Sequence, residues 1–186
     1  MTLVRLNEWV SFLEAGTTEQ ALDRIAVKTM FRHASDLIKN IAENLIELGS
    51  SVERDLLSKS LQETLLYCTD LDAELDYSEI KTRLVRFLAK RGKASLIEQF
   101  LSFCIFNFVW FYVGDSFQAA ARTPDLFEKD MESVERMCHK IVASTWRSYE
   151  SRQLDRAAAQ SLIRSIEGHL RGDSHIQAVR TKPKKD

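Results

Sequence analysis

The sequence predicts an all-α fold: a single-domain antiparallel bundle of about seven helices around one central hydrophobic helix. Three observations carry that expectation. Apolar residues recur at spacings of three and four along most of the chain, and no β-branched run alternates with period two. Only 6 Gly and 2 Pro occur, with no Asn-Gly or Asp-Gly hairpin signal, so turn breakers are scarce. Between Phe100 and Val113 the chain reads FLSFCIFNFVWFYV, apolar all round a helix apart from Ser102 and Asn107. A helix of that kind must be enclosed on every side, by its own domain, a partner or lipid.

The elements follow in order. Leu3, Leu6, Trp9, Val10 and Leu13 predict a first helix over about residues 3–15, ending at Gly16. Thr17 and Gln20 have capping-box spacing, in which each side chain satisfies the other's backbone N–H, and the helix they open runs to about Leu48. Gly49 stops it, and Ser50 with Glu53 starts a third helix carrying Val52, Leu56, Leu57, Leu61, Leu65 and Leu66 to about Cys68. An acidic link from Asp70 to Asp76 leads to an amphipathic helix over about Ser78–Arg91, closed by Gly92. The aromatic helix then spans about Ala94–Ala121. Thr123-Pro124-Asp125 combines an N-cap, a proline at the first helical position and an acid in the first turn, so a sixth helix starts there and runs to about Tyr149. A last helix, about Leu154–Leu170, carries Leu154, Ala158, Leu162, Ile163 and Ile166. The bundle domain is thus 1–171, and residues 172–186 read as a polar, flexible tail.

Composition narrows the class. Hydrophobic residues make up 45% and charged ones 28%, the mix of a soluble globular domain. A formal net charge of −1 gives no global field to recruit nucleic acid or an anionic membrane. Cys68, Cys104 and Cys138 form no CxxC pair and no zinc-type spacing, which fits buried free thiols in a reducing compartment. The N-terminal segment MTLVRLNEWVSFLEAG lacks the pattern of a signal peptide, so the expected location is cytoplasmic.

The aromatic helix is the first candidate site. As a membrane span it is short, because spans need roughly 20 apolar residues, and Glu98 and Asp115 bound this run. Burial in the core is the leading expectation. Phe100, Phe103, Phe106, Trp110, Phe111 and Phe117 are also candidates for an interface or a pocket wall, since large aromatics are enriched at association surfaces. The preceding helix places Lys81, Arg83, Arg86, Lys90, Arg91 and Lys93 around an apolar stripe. Such a basic patch can dock an anionic membrane, nucleic acid or an acidic partner. The plainer expectation is a solvated face with cations favourably placed at a helix C-terminus and neutralised by Asp70, Asp72, Glu74 and Asp76.

Other constellations are thin. Gly16-Thr17-Thr18, Ile25-Ala26 and Phe31-Arg32-His33 faintly resemble the helix-turn-helix of TetR-type repressors. The unbroken periodicity from Leu22 to Leu48 leaves no turn to set a recognition helix across a groove, so specific nucleic-acid binding is not expected. Glu132, Glu135 and His139 share one helix face, but the chain has no Glu-x-x-His of the di-iron bundles, and no metal site is expected. His33 and His139 are the weak candidates for holding a haem or another flat apolar ligand. No nucleophile elbow and no glycine-rich phosphate loop exist, which points away from an enzyme. Arg171-Gly172-Asp173 spells an adhesion tripeptide at a helix end, read as coincidence. The resulting expectation is a regulatory or adaptor domain acting through protein–protein association, self-association included. The alternatives are a haem, lipid or apolar-ligand carrier and, third, a peripheral membrane protein.

Overall fold

The computed structural model describes residues 2–15, 34–46, 51–70, 77–121, 123–149 and 154–172. The described residues form six helices and no strand: α1 (Thr2–Glu14), α2 (Ala34–Leu45), α3 (Ser51–Thr69), α4 (Tyr77–Ala120), α5 (Pro124–Trp146) and α6 (Arg156–Gly172). The fold class is all-α, as expected; among the described residues, six helices stand where seven are expected. The two helices predicted on either side of Gly92 run on as α4 without an intervening loop. Gly92 is the only break, with φ 75° and ψ 165°, a combination open essentially to glycine alone. The predicted Thr17–Gln20 capping box, the first half of the second helix, Gly49 and Ser50 lie outside the described residues, as does the tail beyond 172.

The chain divides into two compact units, Met1–Cys104 and Ile105–Asp186, with the boundary inside α4. In the first unit, α1 buries Leu3, Leu6, Trp9, Val10 and Leu13, the stripe its spacing predicts. A helix of this length is marginal alone in water. Five buried apolar side chains at about 1.5–3 kcal/mol each outweigh any propensity term. Helix α2 buries Leu37, Ile38, Ile41, Ala42 and Leu45 on one face and packs against both α1 and α3.

Helix α3 departs from its predicted stripe. Val52 and Leu66 are exposed, and the buried face instead alternates Leu61, Leu65 and Cys68 with Ser60, Thr64 and Thr69. Those hydroxyls are affordable inside because each donates to the carbonyl one turn back: Ser60 to Leu56 at 2.7 Å, Thr64 to Ser60 at 2.7 Å, Thr69 to Leu65 at 2.6 Å. Helix α4 resumes after Gly92 with help from α1. The Lys93 N–H donates to Glu14 Oε1 at 2.9 Å and Lys93 Nζ to Ser11 Oγ at 3.0 Å. A carboxylate thus takes one of the backbone donors left open where a helix starts.

In the second unit, α5 begins as predicted. Thr123 is extended (φ −143°, ψ 155°), its Oγ1 accepts from the Leu126 N–H at 3.3 Å, and Pro124 occupies the first turn. Its buried face is Val134, Cys138, Val142, Thr145 and Trp146. The helix ends three residues earlier than expected, in a turn where the Tyr149 N–H donates to the Trp146 carbonyl at 2.7 Å. Tyr149 Oη and Ser161 Oγ, 2.8 Å apart, tie that turn to α6, which packs on α5. Asp155, not Leu154, opens α6: its Oδ1 accepts from the Ala158 N–H at 2.8 Å. Leu154 and Ala159, at the two positions of a hydrophobic staple, are both buried. Leu162 and Ile166 complete the buried face, whereas Ile163 is exposed.

Candidate functional site

Two places stand out, one in each unit. The first is the aromatic segment of α4. Leu96, Ile97, Phe100, Leu101 and Cys104 are buried, so Phe100 is a core residue of the first unit. Phe103 is half-buried, with its ring edge-on to Tyr67 at 6.4 Å and 72°.

Past Cys104 the helix opens. Phe106 and Trp110 stack at 6.4 Å and 21°, and Phe127 of α5 meets the Trp110 indole edge-on at 5.4 Å. The indole lies against Gly114 so closely that a Cβ there would stand 2.9 Å from Cε2. On the adjoining face, Ile105, Phe108 and Val109 are half-buried, Phe111 is 53% exposed and Tyr112 is 70% exposed. The Phe111 and Tyr112 rings hold each other edge-on at 5.1 Å. Positions 105, 108, 109 and 112 have helical i, i+3, i+4, i+7 spacing, so they form one incompletely covered apolar stripe with Phe111 at its edge. The side chain of Phe117 lies outside the described residues. By length and composition, Thr82–Ser116 is apolar enough to cross a membrane, and 39% of its most apolar window is buried.

The second place is a groove of about 560 Å³ between the last turn of α3 and the first half of α4. Tyr67 and Phe87 meet edge-on across it at 6.4 Å and 75°, and Arg83, Arg86, Lys90 and Arg91 line it. Of the predicted basic patch, Arg83 is committed to structure. Its Nη1 donates to the carbonyls of Thr69 and Asp70, and its Nη2 pairs with Glu79 at 2.9 Å. It thereby caps α3, whose last carbonyls need donors, while Asp70 takes a left-handed φ of 48° just beyond the helix. Lys93 is likewise committed, to α1. Arg86, Lys90 and Arg91 are exposed and have no ion-pair partner among the described residues. The side chain of Lys81 and the acids Asp72, Glu74 and Asp76 lie outside them.

The remaining candidates separate. His139 Nε2 lies 3.9 Å from Glu135 Oε1 on its own helix, a pair that is ionic when the imidazole is protonated. His33 lies outside the described residues. Among the described residues no three His, Cys, Asp or Glu side chains gather as a metal site would require. All three cysteines are buried free thiols, Cys68 and Cys104 in the first unit and Cys138 in the second. Burial pushes the Cys68 thiol up to about 12. It does the same for Cys104, where the nearby Glu63 carboxylate adds to desolvation and a hydrogen bond with Ser60 opposes both. Thiols held protonated in this way are poor nucleophiles.

Tyr67 escaped sequence reasoning because it lies off the apolar stripe of α3, whereas Asp70, expected among the acids near the basic patch, does line the groove. The available signal was the short separation in sequence between the end of α3 and the start of α4. No protein-family model, no curated protein and no solved structure matches the chain.

Proposed function

We propose that this protein is a non-enzymatic regulatory or adaptor helical domain of the cytoplasm that works by association, first with a second copy of itself. The carrying observation is the incompletely covered stripe Ile105, Phe108, Val109 and Tyr112, with Phe111 beside it. Large apolar area left open on a helix is stabilised by a partner, and aromatic anchors contribute most of the energy at such surfaces. Pairing two copies about a two-fold axis brings four exposed rings together. At roughly 150–250 Å² per ring, with more than half still open, they supply about 400–600 Å² towards the roughly 1,200 Å² at which specific interfaces begin. The half-buried Ile105, Phe108 and Val109 extend that area. A single-domain antiparallel bundle built around the aromatic helix belongs to the same proposal.

Sedimentation velocity of the full chain over a dilution series tests it. We expect a dimer at micromolar concentration and a monomer for Phe111→Ser with Tyr112→Ser. A wild type that stays monomeric throughout overturns the reading. A second reading, membrane contact, draws support from the length and apolarity of Thr82–Ser116. It predicts flotation with phosphatidylglycerol vesicles that the same two substitutions abolish; failure to float removes it.

A further inference from the structure

We propose that the groove between α3 and α4 binds a phosphate monoester carried on a flat aromatic body, the chemical class of a nucleoside monophosphate. Its volume of about 560 Å³ falls in the range of small-molecule sites, roughly 300–1,000 Å³. Its walls divide the work such a ligand needs.

The charge comes first. Among the described residues, Arg83, Arg86, Lys90 and Arg91 line the groove against the acids Asp70 and Glu79, so four cations less two anions leave +2 on those walls. The whole chain carries −1, so the positive charge is local, and it matches a phosphate dianion. Arg83 is held in place by the carbonyls of Thr69 and Asp70 and by Glu79, and serves as a wall rather than a ligand arm. Arg86 and Lys90 stand four residues apart on one helix face, where like charges repel. Neither has an ion-pair partner among the described residues. An anion bridging them turns that repulsion into attraction, and a guanidinium presents the paired donors that a phosphate accepts.

The rings come second. Tyr67 is 55% exposed, yet it is braced edge-on by Phe87 and by Phe103. It is therefore a preformed aromatic surface beside the cations, and ring stacking of this kind is indifferent to the identity of the base. A groove lined by cations beside an aromatic face suits a small anion, whereas a membrane surface is met by convex apolar anchors. The site uses none of the residues of the α4 stripe, so its test is separate from that of self-association.

Isothermal titration calorimetry of the full chain with adenosine monophosphate, inorganic phosphate and phosphatidylglycerol vesicles tests the assignment. We expect saturable binding of the nucleotide, about tenfold tighter than inorganic phosphate, and a loss of about tenfold or more with Arg86→Glu and Lys90→Glu together. Both side chains are exposed, so the variant keeps its helix content. On the wild type, nucleotide-induced amide and ring NMR shifts should centre on Tyr67, Thr69 and Phe87. No saturable nucleotide binding overturns the proposal. So do equal affinities for nucleotide and phosphate, indifference to the charge reversals, binding to vesicles alone, or shifts centred elsewhere.

Discussion

The turns of α4 from Leu96 to Cys104 and those from Ile105 to Tyr112 are similar in composition and opposite in environment. In the first stretch Leu96, Ile97, Phe100, Leu101 and Cys104 are enclosed; in the second, Phe111 and Tyr112 stand mostly in solvent and Ile105, Phe108 and Val109 are half-covered. Hydrophobicity does not separate them. The difference lies in what each stretch meets: Phe103 and Cys104 meet Tyr67 and Ser60 of α3, whereas the Phe127 contact of α5 engages Trp110 and leaves the adjoining stripe open. An apolar pattern specifies that a face wants covering. Whether the covering comes from the same chain is decided by distant residues.

Substitution should expose that contrast most sharply. Phe100→Ala, in the enclosed stretch, should cost about 3–5 kcal/mol in chemical denaturation. Phe111→Ala should change monomer stability by under about 0.5 kcal/mol, because an exposed ring gains little from folding. Similar costs at both positions would erase the distinction.

Alkaline titration should sharpen it next. Cys104, within the enclosed stretch, and Cys68 both have folded-state pKa values raised to about 12, against about 8.5 when unfolded. Since the folded value lies above the unfolded one, the thiols' stabilising contribution is complete below about pH 8.5 and is lost as pH rises towards 12. Each thiol then removes up to about 1.4 kcal/mol per pH unit in that window. Cys68→Ala with Cys104→Ala should flatten the fall, and an unchanged slope would show that other groups cause it.

A smaller loss than that at Phe100 is expected just past the open stretch. Gly114→Ala places a methyl 2.9 Å from Trp110 Cε2, which displaces the indole and costs about 1–3 kcal/mol. Removing a helix glycine returns up to about 1 kcal/mol. A net loss of about 1 kcal/mol, with a shift in tryptophan emission, is expected; a net gain would show that the Phe106–Trp110–Phe127 cluster yields easily.

Much of this was legible in the chain. The α1 stripe, the Thr123 cap and the break at Gly92 rest on residues within a turn or two of each other, where spacing and backbone chemistry suffice. What escaped depends on distant partners. Glu14 accepting from Lys93, and Arg83 capping α3, join segments that no local pattern connects. The basic patch shows the same limit. Six cations looked equivalent, and only tertiary contacts separate the committed Arg83 and Lys93 from the open Arg86, Lys90 and Arg91. Asp155 was passed over for Leu154 because a staple leucine directly before its cap extends the apolar pattern outward by one residue.

The three buried thiols have a practical consequence. Sealed away, they meet an alkylating reagent only when the surrounding structure opens, so labelling reports local unfolding rather than surface chemistry. Two of these reporters sit in the first unit and one in the second. Mass spectrometry of peptides after timed alkylation therefore assigns a separate opening rate to each unit. The native chain carries its own clocks, and comparing them tells whether the two units melt in step or in turn.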